Sequence, residues 1–446
     1  MNTQESPKAR PSASEEESAL GNYFIANYPP FSFWTAQQVE AALAALDRPP
    51  VGNTPLGLYL HIPFCRKRCH FCYFRVYTGK NASEIHAYLD TLVAELTLYS
   101  RKPFLGDRAL DFVYFGGGTP SYLSSRELRE LASRLQSLLP WTEAREVTFE
   151  CEPGTLTPKK LAIIHEIGVT RLSLGIENFD DRILEVNGRA HRSKEIYSAY
   201  ERARKLGFPQ INVDLIAGMQ GETDRNWRKC VRKVAELQPD SITIYQMEIP
   251  YNTNLYQSVA GSQQSTQSLA GWATKRRWVD LAFSELEGRG YQVTSGYTLV
   301  KDSEQTQFCY RDLVWRGGDL LSLGVASFSH IGGTHFQNEA ENGSYQARVA
   351  NHEFPIYRAL PTSEEEQMVR ELILQLKLGR VQKSYFLEKF HCDITDRFAQ
   401  PLSEMVRSGW AEMETEGVRI TRRGLVRIDS LLPAFFLPQH QNARYW

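Results

Sequence analysis

The sequence lacks a long apolar run, since none of its segments approaches the roughly 20 apolar residues that a membrane-spanning helix needs. It also lacks an excess of charge: 51 Lys and Arg stand against 52 Asp and Glu, which leaves a net charge of -1. A net charge this close to zero gives no electrostatic reason to expect binding to nucleic acid or to an acidic membrane surface. Residues 1–18 are polar, without the apolar segment of a secretory signal. We therefore expect a protein with no membrane span and no nucleic-acid partner.

A disulfide framework is missing as well. The sequence has seven cysteines, and four of them (Cys151, Cys230, Cys309 and Cys392) are scattered along the chain. Small secreted domains place their cysteines densely and in pairs. The pattern favours a reducing compartment and predicts a cytoplasmic protein.

What is present is a compact cysteine loop. Cys65, Cys69 and Cys72 follow residues 57–62, an apolar stretch that we interpret as a buried strand ended by Pro63. Three thiolates can hold three irons of a cubane cluster and leave the fourth iron open. An open iron can bind a small chelating ligand, so the spacing predicts a catalytic metallocluster.

The alternative is a zinc site, or cysteines that are simply packed. Structural zinc takes four ligands, usually as two Cys-x2-Cys pairs or with histidine partners. Only His61 and His70 lie near enough in the sequence to supply a fourth ligand. The cluster interpretation is therefore preferred.

Strands and helices alternate downstream of residue 56. Predicted strands are 57–62, 110–115, 146–150, 171–175, 210–216 and 241–245. Predicted helices are 35–46, 82–100, 125–139, 157–167, 194–206, 226–237 and 271–288. This order predicts an α/β fold with a parallel sheet and right-handed crossovers, either a barrel or a doubly wound sheet. Polar residues at the strand ends favour an incomplete barrel.

The cysteine loop, with Phe71 just before Cys72, resembles that of radical S-adenosylmethionine (SAM) enzymes. The string from His61 to Cys65 narrows the resemblance to the oxygen-independent coproporphyrinogen III oxidases, with their haem-chaperone and radical methyltransferase relatives. The resemblance covers residues 57–332 and, more loosely, the tail. It implies a partial (β/α)6 radical SAM barrel, with a [4Fe–4S] cluster and SAM as cofactors. It also implies an electron donor such as flavodoxin or ferredoxin, and a monomer.

The resemblance also assigns site residues. The cluster ligands are Cys65, Cys69 and Cys72. The SAM contacts are Tyr59, Phe71, Gly117, Gly118, Thr119, Glu150, Glu177, Arg189, Asp214 and Ile216. Independently of the family, glycines allow close approach to a ligand, and acidic side chains at a barrel rim need a cationic or hydroxyl partner, which SAM supplies. A simple tight turn and buried core ion pairs are the alternatives.

Two departures from the oxidase pattern leave the reaction open. Phe74 stands where the oxidases have a further cysteine, and Glu177 stands where they have glutamine. The resemblance implies SAM cleavage to a 5′-deoxyadenosyl radical and a small-molecule substrate, with a tetrapyrrole as candidate. Three functions remain as alternatives. They are oxidative decarboxylation or a related tetrapyrrole reaction, radical C-methylation with two SAM molecules, and haem delivery without turnover. We favour an enzyme over a chaperone.

The remaining segments divide the chain. Residues 1–20 are predicted to be a disordered leader, and residues 21–55 an aromatic arm with a helix. We interpret the arm as a strap over apolar barrel surface in preference to an arm that touches substrate. Residues 56–340 are the predicted barrel with its closing segment, and residues 341–446 a helical, winged-helix-like domain that acts as a lid or packing unit. In the closing segment the substrate candidates are Arg311, Arg316, His330 and Gln337, although a solvated face is an equal alternative.

Overall fold

The computed structural model describes residues 24–250, 253–260, 269–441 and 443. The predicted leader therefore lies outside the described residues. The strands of the main sheet are β1 Leu56–Ile62, β2 Phe112–Gly117, β3 Glu146–Cys151, β4 Arg171–Glu177, β5 Gln210–Ala217, β6 Ser241–Gln246, β7 Gln292–Val293, β8 Thr298–Val300, β9 Asp319–Leu323, β10 Phe328–Ile331, β11 Thr334–Asn338 and β12 Ile356–Pro361.

Helices precede, connect and follow these strands. They are α1 Val39–Leu46, α2 Ala82–Tyr99, α3 Ser125–Leu138, α4 Pro158–Glu166, α5 Asp181–Val186, α6 Ser193–Leu206, α7 Asp224–Leu237, α8 Asn254–Ala260, α9 Trp272–Glu287, α10 Cys309–Val314 and α11 Asn342–Ala350. No helix in the described ranges is both long and apolar enough to cross a bilayer.

Within the described chain the sheet has twelve strands, in the order β12-β11-β10-β9-β1-β2-β3-β4-β5-β6-β8-β7. The six strands β1 to β6 lie side by side in chain order, and each pairs in parallel with the next. Parallel neighbours require crossover connections, which helices α2 to α7 provide. The predicted α/β fold with a parallel sheet is confirmed.

Local sequence explains why the crossovers form where they do. Asn81 and Ser124 cap helices α2 and α3, and Glu84 and Glu127 complete the two capping boxes. Helix α6 stops at Gly207, whose φ of +76° suits glycine. The strands are rich in Leu, Ile, Val and Phe because helices cover the outer face and side chains fill the inner one.

The sheet extends further than the sequence predicts. Strand β9 pairs in parallel with β1, and β10, β11 and β12 follow as antiparallel strands. Strand β12 ends at Pro361, so the predicted barrel boundary at residue 340 falls inside the main sheet. These strands were missed because they are short and their polar residues, such as His330 and His335, are buried among other strands.

The C-terminal region is helical with a small antiparallel sheet. Its helices are α12 Glu364–Leu376, α13 Lys383–Phe390, α14 Ile394–Arg397, α15 Ala399–Arg407, α16 Arg422–Leu425 and α17 Ile428–Leu431. Its strands are β13 Arg380–Gln382, β14 Ala411–Glu414 and β15 Gly417–Ile420, and β15 lies between the other two. Strands β14 and β15 pair as an antiparallel hairpin.

The aromatic arm packs into this C-terminal region. Ile25 and Tyr28 share a hydrophobic core with residues of α12 and with Leu432. The buried Tyr28 hydroxyl lies 2.7 Å from His440 Nδ1 and accepts the Leu437 N–H at 3.0 Å. The arm therefore holds the C-terminal residues Leu437 and His440 in place.

Candidate functional site

A cavity of about 1160 Å³ opens at the carboxyl ends of β1 to β6. Every site residue that the sequence predicts borders it: Tyr59, Cys65, Cys69, Phe71, Cys72, Gly117, Gly118, Thr119, Glu150, Glu177, Arg189, Asp214 and Ile216. The carboxyl ends of parallel strands meet at one edge of a barrel, so residues distant in sequence meet there.

The arm also reaches this cavity. Phe24, Asn27, Phe31 and Trp34 line its wall. Phe31 and Trp34 also pack against Leu360 of β12, so the arm covers apolar barrel surface, as interpreted, and borders the cavity in addition. Its contact with a substrate stays a prediction. The sequence pattern could not distinguish the two roles, because both bury aromatic rings.

The cysteine loop, residues 65–72, is fixed by backbone hydrogen bonds. The Cys65 N–H donates to the Tyr77 carbonyl at 3.0 Å, and the His70 N–H donates to the Asn187 carbonyl at 3.1 Å. The Asn187 side chain is itself fully buried. The loop is thus anchored on one side to its own continuation and on the other to the end of α5.

Two of the three sulfur atoms contact polar side chains. Cys65 Sγ lies 3.3 Å from Thr119 Oγ1, and Arg189 Nη1 donates to Cys69 Sγ at 3.3 Å. Burial raises the pKa of Cys65 to about 11 and that of Cys72 to about 12. Thiolates at these positions therefore need a cation beside them, and iron is such a cation.

The three thiols are not arranged as the ligands of one metal ion. In the described part of the chain, no three Cys, His, Asp or Glu side chains are close enough together to hold a single metal ion. In a cubane each cysteine binds a different iron, so the sulfurs stand further apart than the ligands of one ion.

The glycine turn after β2 is required by the loop that passes beside it. A Cβ added to Gly118 would lie 2.8 Å from the Pro63 carbonyl carbon, and one added to Gly117 would lie 2.6 Å from the His61 ring. Gly117 also has a φ of +112°, which side chains rarely adopt. The glycines therefore let β2 end directly against the start of the cysteine loop.

Two mostly buried carboxylates lie near the carboxyl ends of β3 and β5, the strands on either side of β4. Glu150 accepts hydrogen bonds from the Tyr114 hydroxyl at 2.7 Å and from the Gly117 N–H at 3.2 Å. Asp214 accepts from Ser173 Oγ at 2.8 Å. Burial raises the pKa of Glu150 to about 7, and repulsion from Asp214 adds to the shift. Burial also raises the pKa of Asp214.

Glu177 ends β4 in a strained conformation. Its φ is +65°, and the pairing with β5 shifts register between Gly175 and Glu177. One carboxylate oxygen lies 3.5 Å from Arg189 Nη2. Burial raises the pKa of Glu177 to about 7, although Arg189 opposes the shift. Strain of this kind in a non-glycine residue is typical of functional sites.

Phe71 and Ile216 form an apolar part of the wall. Both pack against a cluster of buried side chains that includes Met219 and Met247. An apolar face beside a group of carboxylates suits a ligand that has both a charged end and a flat ring.

The sequence did not predict an ion pair that joins the cysteine loop to the residue directly after β3. Arg66 donates two hydrogen bonds to Glu152, at 2.9 and 2.6 Å, and His191 Nδ1 lies 3.4 Å from the same carboxylate. Although burial opposes it, hydrogen bonds from His191 and Arg66 lower the pKa of Glu152 to about 2. The available signal was the second glutamate of the Phe-Glu-Cys-Glu-Pro motif.

The four substrate candidates divide into two pairs. His330 and Gln337 line the large cavity, whereas Arg311 and Arg316 line a second, smaller one. The prediction that these two arginines contact the substrate at the main site is wrong, because α10 and the turn after it place them toward the amino ends of the strands. Arg358 and Arg427, which the sequence did not single out, border the large cavity.

The charged side chains that line the cavity complement the charged groups of SAM. Glu150, Glu177 and Asp214 face one buried space, and each raises the cost of ionising another. A ligand with an ammonium group and a sulfonium group relieves that repulsion. Arg189 is a buried cation beside these acids, and its guanidinium suits a ligand carboxylate.

Comparison with known proteins agrees with this geometry. The profile of the radical SAM superfamily matches residues 59–234. The heme chaperone HemW of Bacillus subtilis is 27% identical over 379 residues, which cover 84% of this chain and 98% of that protein. The oxygen-independent coproporphyrinogen III oxidase of Escherichia coli is 26% identical over 430 residues, which cover 91% of this chain and 90% of the oxidase.

A solved structure shows the same fold. Coproporphyrinogen III oxidase (HemN) from Escherichia coli, a radical SAM enzyme, superposes with a TM-score of 0.78 at 23% identity, over 92% of this chain and 96% of that one. Radical SAM proteins bind a [4Fe–4S] cluster and SAM, and these are the cofactors of this chain. Residues 59–234 are therefore a radical SAM domain, in a chain whose homologues are the oxygen-independent coproporphyrinogen III oxidases and the heme chaperone HemW.

Proposed function

We propose that this chain is a radical SAM enzyme that acts on a tetrapyrrole or similar substrate, in the manner of a coproporphyrinogen III oxidase. The observation on which the proposal rests is the single cavity that joins the three cysteines, the acidic strand ends and an aromatic and basic outer wall. When bound, the cluster and SAM supply reductive cleavage of the sulfonium to methionine and a 5′-deoxyadenosyl radical.

The chain's own residues hold and orient these groups. Cys65, Cys69 and Cys72 would bind three irons, and the Arg189 guanidinium stabilises negative charge on Cys69. Glu150 and Asp214 would accept hydrogen bonds from the SAM amino group and ribose hydroxyls. The arm and residues 425–430 border the cavity, where they would limit the access of water to the reacting atoms.

The size and lining of the cavity support a large anionic substrate. Its volume of about 1160 Å³ exceeds the range of roughly 300–1,000 Å³ that holds most small ligands. Arg358 and Arg427 on its wall suit substrate carboxylates, and Phe31 and Trp34 offer aromatic faces to a flat ring system.

Haem delivery is the second candidate, and one feature of the wall favours it. His330 and His335 line the cavity with their ring nitrogens 3.1 Å apart. Burial lowers the pKa of both well below the usual value, so both imidazoles are neutral. Neutral imidazole is a common haem ligand, and HemW is a heme chaperone.

One anaerobic experiment separates the candidates. Reconstituted protein is incubated with SAM and dithionite and analysed for 5′-deoxyadenosine, S-adenosylhomocysteine and bound haem. We expect 5′-deoxyadenosine that increases with a coproporphyrinogen substrate. S-adenosylhomocysteine would indicate methylation instead, and stoichiometric haem without SAM cleavage would indicate a chaperone.

Replacement of Cys65, Cys69 and Cys72 by alanine should abolish the cluster. Reconstituted wild-type protein should bind about four irons and four sulfides per chain, and the triple variant essentially none. Iron and sulfide analysis with visible absorption measures this. The matched control replaces Cys230, Cys309 and Cys392, which should leave iron content unchanged. Retention of the cluster in the first variant would refute the proposed ligands.

A further inference from the structure

A second cavity, of about 450 Å³, lies at the opposite end of the barrel. It is lined by Arg171, Gln210 and Ser241, the first residues of β4, β5 and β6. The large cavity is lined by the last residues of the same strands, such as Glu177. The large cavity reaches inward as far as Ser173 of β4 and Tyr310 of α10, but the two cavities share no lining residue and are therefore separate sites.

Four arginines surround this second cavity: Arg145, Arg171, Arg311 and Arg316. The acidic residue in its lining is Asp312, which accepts a hydrogen bond from Arg311 Nε at 2.7 Å. Within the described chain, no carboxylate lies within 4 Å of the other three guanidinium groups. The lining therefore has a net positive charge.

Glu146 is a further acid close to Arg171, and its carboxylate already accepts three hydrogen bonds. Its carboxylate accepts the Cys309 N–H at 2.8 Å, the Tyr310 N–H at 3.4 Å and the Thr148 hydroxyl at 2.9 Å. Burial raises its pKa, while the field of Arg171 opposes that shift. Glu146 therefore fixes the start of α10 and moderates the charge of Arg171 without a direct ion pair.

Two of the arginines hold buried donors that meet no acceptor in the described chain. These are Nε and Nη1 of Arg171, which is only 2% exposed, and Nη1 of Arg311. The Phe308 ring centre lies 4.0 Å from the Arg171 guanidinium carbon and 5.6 Å from that of Arg311. The Phe308 ring thus contacts two guanidinium groups of like charge, those of Arg171 and Arg311. An anion bound beside both groups would stabilise this arrangement.

We propose that this cavity binds a phosphoryl group, presented by a small phosphomonoester or as the free ion. Guanidinium groups match the oxygens of phosphate, and the hydroxyls of Thr298 and Thr306 add neutral donors to the lining. The volume exceeds that of a bare ion and falls in the range of small-ligand sites. Bound there, the anion joins residues 308–316 to the amino ends of β4 to β6.

The test uses cluster-loaded protein in a buffer free of phosphate and sulfate. Isothermal titration calorimetry compares inorganic phosphate, ribose 5-phosphate, ribose and succinate. We expect saturable binding of ribose 5-phosphate and of phosphate but none of ribose. Tighter ribose 5-phosphate indicates a phosphomonoester, and equal affinity indicates the free ion. Absence of saturable phosphate binding, or tighter binding of succinate, overturns the proposal.

Two variants locate the binding. Arg311→Gln and Arg316→Gln should each weaken phosphate binding by about tenfold or more, since each removes a charge-assisted hydrogen bond. The matched control is Arg202→Gln, which removes an exposed arginine of α6. Visible absorption of the cluster and thermal unfolding verify that the variants are folded. Unchanged affinity in both Arg311→Gln and Arg316→Gln overturns the assignment.

Discussion

At the scale of single residues, the main site is a group of acids kept partly protonated. Glu150 and Glu177 have pKa values of about 7 because they are buried, with a further contribution from Asp214. Ionising all three in one space costs free energy unless a cation joins them. Ligand binding at this site is therefore expected to be linked to proton release.

SAM affinity should consequently rise with pH. Glu150 and Glu177 are largely protonated at about pH 6 and ionised at about pH 8, and the cationic ligand prefers the ionised form. Calorimetry across this range in two buffers of different ionisation enthalpy should show tighter binding and released protons. Glu150→Gln should flatten the profile, whereas the exposed Glu130→Gln should not. A pH-independent affinity would contradict the assigned acids.

The stability of the protein without SAM follows the opposite trend. Both folded-state pKa values lie above the unfolded value of about 4.3, so this contribution to stability is complete below that value. It is lost as the pH rises through about 7.

Substitution of Asp214 can distinguish a role in SAM binding from a role in protein stability. Asp214→Asn should weaken SAM binding by about ten- to a hundredfold through loss of a charge-assisted hydrogen bond, while iron content is retained. The control is Asp319→Asn, a buried aspartate that pairs with Arg108 at 2.8 Å outside the cavity. It should lower the melting temperature and leave SAM affinity intact. Normal affinity with a large loss of melting temperature in Asp214→Asn would make Asp214 a structural residue.

Individual site residues could be predicted where they belong to short motifs. The spacing of Cys65, Cys69 and Cys72 and the order of the strand-end acids are enough to predict which residues line the cavity. Glu152 and Arg66 escaped because their contact joins residues distant in sequence. The orientation of Arg311 escaped because a polar residue on a short helix can face either end of a barrel.

At the scale of elements, the site depends on how closely β2 ends against β1. Gly118 donates its N–H to the Ile62 carbonyl at 2.8 Å, which holds the glycine turn to the start of the cysteine loop. The first six strands were predictable because each combines an apolar run with a helix of clear periodicity. Strands β9 to β12 were not, because tertiary pairing overrides their weak local signal.

Gly118→Ala should displace the cysteine loop. The new methyl group would lie within 3.0 Å of the backbone of residues 62–64, and overpacking of this kind costs about 1–3 kcal/mol. We expect reduced iron content after reconstitution and a lower melting temperature. Gly343→Ala, on the exposed helix α11 with nothing within 4 Å of the new Cβ, is the control and should change neither. Full iron content in Gly118→Ala would show that the loop tolerates the shift.

At the scale of the whole molecule, the cavity is enclosed by parts of the chain that are far apart in sequence. Residues 24–34 and 425–430 both line it, although neither belongs to the radical SAM domain. Lys377 joins them: its fully buried ammonium lies 2.9 Å from Asp429 Oδ1 and donates to the Ile25 carbonyl at 2.5 Å. Composition and local pattern gave no indication of this three-way contact.

Lys377→Met should therefore destabilise the protein strongly. Removing Lys377 leaves the mostly buried Asp429 without its cation, and breaking a buried ion pair in this way costs about 3–5 kcal/mol. Denaturant unfolding measures the loss, and limited proteolysis should show faster cleavage before residue 34. Lys205→Met is the control, because its pair with Glu201 is exposed and worth under 1 kcal/mol. Equal stability of the two variants would mean that the arm is held mainly by its aromatic rings.

The order of these segments along the chain has a consequence for biogenesis. The three cysteines leave the ribosome well before residues 425–430, which line the same cavity. The nascent polypeptide thus passes through a stage in which the thiols are presented on a barrel that has no cover. Iron–sulfur delivery would meet the least obstruction during that interval, and a finished chain that missed it would first have to release its C-terminal cover.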